Sequence, residues 1–289
     1  MRAPWGLIFQ VFLGASLSFA DLGTDILAIL LFREQERYSF ALAIIAMISF
    51  TIFLHLVIIS SRKKPMKAWT REALIVVSGL KPAFDAFRVV SSFTNRNHEQ
   101  TVLGEDLLFE VSVTKIIESV GESIPSAVLQ LYAVFSSPHP PSFNSKISIV
   151  CSILAIAYCC ALICFDFDMD PAKRSHSPSF YGYIPRDRYS RFVVFVSMIF
   201  FSSCHIALKM IGVALFAVTS PLFLWCFLGG DMLLFLLLKV LRSDFRYWLK
   251  LDGAISWIMS ALIRVVEKIM VDFTTLLDMR RTYEQTLIS

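Results

Sequence analysis

The feature that most constrains this chain is a succession of apolar runs about as long as a bilayer is thick. Eight hydrophobic stretches occupy residues 5–32, 38–60, 72–90, 106–135, 147–167, 192–218, 221–241 and 254–273. A helix needs ~20 apolar residues to cross the hydrocarbon, where only an internally hydrogen-bonded backbone is tolerated. A transmembrane barrel would instead alternate weakly in segments of about ten residues. Only 17% of the 289 residues are charged and the mean hydropathy is +0.65, whereas a soluble domain carries about 25% charge. An ordinary water-soluble enzyme, a disordered chain and a charge-driven nucleic-acid binder all fit this pattern poorly. The expected fold is all-α: a polytopic membrane helical bundle of about six spanning helices plus two re-entrant or interfacial hydrophobic segments. Residues 1–273 are expected to form a single transmembrane domain and 274–289 a short cytosolic tail.

Loop charge orients the bundle, because lysine and arginine are retained on the cytosolic side. Arg62, Lys63, Lys64, Lys67 and Arg71 follow the second stretch, and Lys173, Arg174, Arg186, Arg188 and Arg191 follow the fifth. Arg242, Arg246 and Lys250 follow the seventh, while residues 136–145 and 219–221 contain no lysine or arginine. The N-terminus and the basic loops are therefore expected in the cytosol, provided the third stretch enters and leaves by one face. That stretch is short and broken by Gly79, Lys81 and Pro82, as a re-entrant hairpin would be. The eighth holds Arg264, Glu267 and Lys268 and reads as a second re-entrant or interfacial element. Arg2, the run 5–17 and Ser18-Phe19-Ala20 also have the form of a cleavable signal peptide. The apolar character resumes through Phe32, which favours an uncleaved helix.

Ionisable residues inside the spans are the informative departure. Each costs on the order of 3 kcal/mol at the bilayer centre, so by default it marks a pathway or a buried pair. Gly14, Ser18, Asp21 and Asp25 share one helical face; Glu110, Thr114, Glu118 and Glu122 recur every four residues with Lys115 beside them. Ser202, His205, Lys209 and Gly212 form a third stripe. On a structural reading, Lys115 and Lys209 each neutralise one carboxylate and the remaining acids are protonated or locked in the interior. On the alternative reading the three seams make one hydrophilic track, because Asp21, Asp25, Glu118 and Glu122 outnumber the two spanning lysines.

Enzyme signatures are incomplete. Asp21-x-x-x-Asp25 matches only the end of the phosphatidyl-alcohol transferase signature, and it lacks the Gly-x-Gly-Asp partner of intramembrane aspartyl proteases. Asp166-x-Asp168-x-Asp170 begins like a calcium loop, but Pro171 stands where glycine is required and Ser177 where glutamate should be. The six cysteines all lie in apolar runs without zinc-site spacing. No catalytic residue, metal or cofactor is expected.

Two segments resemble the XK-related membrane proteins. Phe19-Ala20-Asp21-Leu22-Gly23-Thr24-Asp25 is similar to their D-x-G-[ST]-D signature. Glu118-Ser-Val-Gly-Glu122-Ser-Ile-Pro125-Ser-Ala-Val-Leu129-Gln130-Leu131-Tyr132 is similar to their E-s-x-P-q-l-x-L-Q-l-y helix. The resemblance continues more weakly through Tyr183-Ile-Pro185 and the sixth stretch and covers roughly 11–241; 242–289 does not align. Ser126 replaces the usual glutamine, Lys209 replaces arginine, and the family's additional C-terminal hydrophobic segments and caspase site are not seen. The resemblance implies energy-independent phospholipid scrambling, with Asp21, Asp25, Glu118, Glu122 and Lys209 on the track, Lys115 beside it and Pro125 shaping its turn. Carboxylates would receive a headgroup amine, and Lys209 or Lys115 the phosphate. The implied partners are membrane phospholipids, with a single-pass or peripheral protein as a further candidate; nucleic acid is not expected. The plasma membrane is favoured over internal membranes. A small-cation transporter or channel uses the same residues with a different cargo. A membrane scaffold that docks a peripheral partner on the basic loops is the third reading.

Overall fold

The computed structural model describes residues 4–61, 65–94, 110–137, 142–169 and 187–241, and all of 257–269 except 259, 263, 266 and 267. Regular structure among these residues is helical throughout. Helix α1 (Pro4–Glu34) begins with a proline, whose missing N–H costs nothing in a first turn. It closes at Glu36, left-handed at φ 58°, where the Arg37 N–H reaches the Phe32 carbonyl at 2.8 Å. This Schellman-type ending turns the chain at once into α2 (Tyr38–Ser61).

The third hydrophobic stretch becomes two short helices, α3 (Met66–Val77) and α4 (Lys81–Thr94). At 1.5 Å per residue each is roughly 20 Å long, short of the ~30 Å of hydrocarbon. The break is at Gly79, whose φ of 72° lets the Leu80 N–H bond back to the Ile75 carbonyl at 3.1 Å. A helical hairpin of this length is the form expected of a re-entrant element.

Helix α5 has three parts: an α-helical entry over 110–118, a π-helical turn Ser119–Ser123, and an α-helical exit Ile124–Phe135. Helix α6 (Phe143–Met169) starts at Ser142, whose hydroxyl accepts from the Ser145 N–H; α7 (Arg188–Thr219) starts at Asp187, whose carboxylate accepts from the Ser190 N–H. Ser220 and Pro221 open α8 (Pro221–Leu241) in the same manner.

Among the described residues, five helices are long and apolar enough to cross a membrane: those containing Ile8–Glu34, Tyr38–Ser60, Phe143–Leu162, Tyr189–Thr219 and Pro221–Leu241. The expected sixth span is α5, and it differs from the others because it carries Glu110, Lys115, Glu118 and Glu122 and a π-turn.

Contacts divide the chain into two units, Met1–Ser203 and Cys204–Ser289. In the first, α1 packs against α2, α4 and α6. Ala28 and Phe32 of α1 meet Ala41 and Ile44 of α2 and Ala133 of α5. Leu13 and Leu17 pack on Tyr158, Ala161 and Phe165 of α6, which also meet Phe195. Gly14 makes the α1–α6 approach possible, since a β-carbon there would lie 3.0 Å from Tyr158 Cε1. In the second unit, Phe216 of α7 meets Phe223 and Phe227 of α8, and Asp231 of α8 pairs with Lys268 at 2.7 Å. The basic residues at 62–64, 173–186 and 242–250, Asp170, Tyr183, Pro185, Glu267 and the 274–289 tail lie outside the described residues.

Candidate functional site

The four-residue spacing of Asp21 and Asp25 aims both carboxylates from α1 at α5 and α6. Asp21 is 5% exposed; its Oδ2 accepts from Ser123 Oγ at 2.6 Å and its Oδ1 from Ser152 Oγ at 2.5 Å. Asp25 is fully buried, and its Oδ1 accepts from Ser126 Oγ at 2.8 Å and Gln130 Nε2 at 2.9 Å. Gln130 also donates to Ser126 Oγ, so α5 grips Asp25 with a closed set of three groups. Among the described residues neither acid has an ion-pair partner.

One helical step earlier, Ser18 meets the first half of α5. Lys115 Nζ donates to Glu118 Oε2 at 2.8 Å and to Ser18 Oγ, while Ser18 also donates to Glu118 Oε2 at 3.1 Å. Lys115 thus neutralises Glu118 on its own helix. Glu122 is half-buried and makes no hydrogen bond or ion pair among the described residues. Pro125 follows the π-turn directly. It has no N–H to offer the Gly121 carbonyl, and the Ile124 N–H bonds instead five residues back to Ser119. Gly121 sits against α2: a β-carbon there would lie 2.6 Å from Thr51 Oγ1.

A second charged network joins α4 to the start of α5. Lys81 Nζ lies 2.5 Å from both Asp85 carboxylate oxygens and 3.4 Å from Glu110, and Arg88 lies 3.6 Å from Glu110. A small cleft between α1, α4 and α5 runs beside it, bordered by Gln10, Gly14, Asp85, Thr114 and Lys115. The cleft therefore touches a member of each network.

Asp21, Asp25, Glu118, Lys115 and Pro125 thus fall in one interior region of the first unit, with Glu122 on the same helix. Lys209 belongs to the second unit, where it is exposed beside the buried line Ile206, Met210 and Ala214. Sequence reasoning passed over Asp85, Ser123 and Ser152 and gave Gln130 no role. The spacing signal was present for two of them, because Lys81–Asp85 and Ser148–Ser152 are both four-residue steps on otherwise apolar helices. Ser148 donates to the Thr24 carbonyl at 3.3 Å, so the α6 serines face α1 together.

The family model for XK-related protein matches residues 9–276. It covers well over half of the chain, which belongs to the XK-related family. The match passes residue 241, where the resemblance of the motifs stopped, and takes in residues 242–276. No curated protein matches the chain. Family membership and the five apolar helices make this an integral membrane protein.

Proposed function

We propose that this XK-related membrane protein exchanges phospholipids between leaflets without an energy source. The headgroup steps along the polar faces of α1 and α5 while the acyl tails stay in the bilayer. The observation that carries the reading is that Asp21, Asp25 and Glu122 have no cationic partner among the described residues, although Asp21 and Asp25 are buried. A purely structural set of charges is stable when each is paired, because an uncompensated buried charge costs several kcal/mol. Acids held only by hydroxyls and an amide can exchange those donors for the amine of a headgroup. Lys115, beside the cleft, is the candidate phosphate contact.

In the conformation described, the acids are enclosed, so passage requires α1 to part from α5. The contacts to be broken between α1 and α5 are the hydroxyl and amide donors on Asp21 and Asp25, the Ser18 bonds to Lys115 and Glu118, and the packing of Ala28 and Phe32 on Ala133; each donor on a carboxylate is worth about 1.5–3 kcal/mol. The reading places the N-terminus in the cytosol, favours the plasma membrane, involves no covalent chemistry, and leaves the basic loops free to dock a single-pass or peripheral protein.

The test is lipid flux from purified protein in liposomes, with fluorescent phosphatidylcholine and phosphatidylserine and a dithionite endpoint. Wild type should expose inner-leaflet label, and folded Asp21→Asn and Glu118→Gln should not. Variants as fast as wild type would remove the seam from the path, and a folded wild type that moves nothing would exclude constitutive scrambling.

A further inference from the structure

Asp25 and Gln130 each satisfy one end of a planar group and leave the other end bare. Asp25 Oδ2 and Gln130 Oε1 have no hydrogen-bond partner among the described residues, although the two residues are 0% and 1% exposed. A buried acceptor without a donor costs about 1–3 kcal/mol, and a charged one more. Both atoms are acceptors, so as a carboxylate and an amide they cannot satisfy one another. Lys115 and Lys81, cations of the same unit, are engaged elsewhere: Lys115 by Glu118 and Ser18, and Lys81 by Asp85 and Glu110. Asp21 adds a second unpaired acid on the same face of α1, and Gln130 is held 2.9 Å from Asp25 at the bonded end.

Carboxylate and carbonyl oxygens are hard ligands, suited to alkali and alkaline-earth ions rather than to metals that seek thiolate or imidazole. A divalent ion gathers several carboxylates. Among the described residues no group of three or more His, Cys, Asp or Glu is placed to hold a metal. We propose that Asp25 Oδ2 and Gln130 Oε1 bind a monovalent cation of about sodium's size, with water completing its shell, which ties α1 to the exit half of α5. The π-turn lies immediately before this half, and such turns recur at functional sites. This inference stands apart from lipid movement and survives a failure of the scrambling reading.

The test is thermal melting of the full chain in detergent at fixed pH and ionic strength, with sodium chloride exchanged stepwise for N-methylglucamine chloride. Wild type should show a saturable rise of several degrees as sodium passes well beyond its Kd. Asp25→Asn and Gln130→Met should each abolish the rise, while Glu110→Gln, in the other network, keeps it. Gln130→Met decides the matter if Asp25→Asn does not fold, and binding of radioactive sodium to wild type decides it without any variant. A midpoint indifferent to sodium and potassium overturns the proposal. So does one that moves only with pH, since a proton on Asp25 then fills the place, and so does an Asp25→Asn protein that keeps the rise.

Discussion

Gly121→Ala tests the approach of α2 to the π-turn, the tightest at any glycine among the described residues. The added β-carbon would lie 2.6 Å from Thr51 Oγ1 and 3.8 Å from Phe50 Cδ1 and Thr51 Cβ. Atoms of this kind do not approach within 3.0 Å, so one must move. Thr51 is 3% exposed, so its hydroxyl has little room to move aside. Overpacking of this sort costs about 1–3 kcal/mol. With a shift of roughly 2–4 °C per kcal/mol for a chain of this order of size, the melting midpoint should fall by several degrees. Thr51 supplies the control, because its Oγ1 has no hydrogen-bond partner among the described residues. Thr51→Ala removes an unsatisfied hydroxyl along with a methyl, so alone it should be close to neutral. In combination it should restore most of what Gly121→Ala loses, giving a coupling of about 1 kcal/mol or more. The assay is the midpoint of thermal unfolding in detergent for the four proteins of the cycle. Additive effects, or an unaffected Gly121→Ala, would mean that α2 does not lean on the π-turn as described.

Three further outcomes follow from the same geometry. Gly79→Ala should destabilise by about 1–2 kcal/mol, mainly because φ is 72° there; Gly79→Asn, which tolerates that region, should lose less in the same melts. Lys81→Met should cost about 3–5 kcal/mol by stranding the Asp85 carboxylate, and Lys81→Met with Asp85→Leu should recover most of it; equal losses for single and double variants in a denaturant titration would refute the pairing. Glu122→Gln should leave stability unchanged or slightly raised, since Glu122 makes no bond to lose and the change removes one surplus carboxylate, while lowering lipid flux in the liposome assay; a loss of stability with unchanged flux would remove it from the path.

The faces of α1 and α5 were legible because helical periodicity is written in the chain. Asp21 and Asp25 lie four apart, as do Glu118 and Glu122, and apolar neighbours isolate them. What those faces meet was not legible, because a serine in an apolar helix carries no sign of its partner. Ser123, Ser126 and Ser152 are ordinary small polar residues until the fold sets them 2.5–2.8 Å from a carboxylate. The π-turn left an indirect trace. A strict repeat of four drifts around a helix of 3.6 residues per turn, and Glu110, Thr114, Glu118, Glu122, Ser126 and Gln130 hold that repeat for five steps. A wider turn at Ser119–Ser123 slows the drift and lets Glu118 and Gln130 both face α1. Gly79, Lys81 and Pro82 likewise announced a break, but not that Lys81 would turn inward to meet Asp85, whose charge lay unremarked in an apolar segment.

The two charged networks of the first unit differ in balance. Between α4 and α5, Lys81 and Arg88 face Asp85 and Glu110, two cations against two anions. Here each anion has a cation against it, so these pairs fix the hairpin to the start of α5. Among α1, α5 and α6, Lys115 is the one cation bonded to an acid among the described residues, and its partner is Glu118. Asp21 and Asp25 are held by neutral donors and Glu122 by none. A buried region that is short of positive charge is stabilised by whatever brings it, whether a proton, a small cation or the amine of a lipid headgroup. Neutral donors also part at lower cost than ion pairs do. On the proposed reading, the same deficit that makes the core costly when sealed makes it receptive once α1 and α5 part, which a fully paired lock would not be.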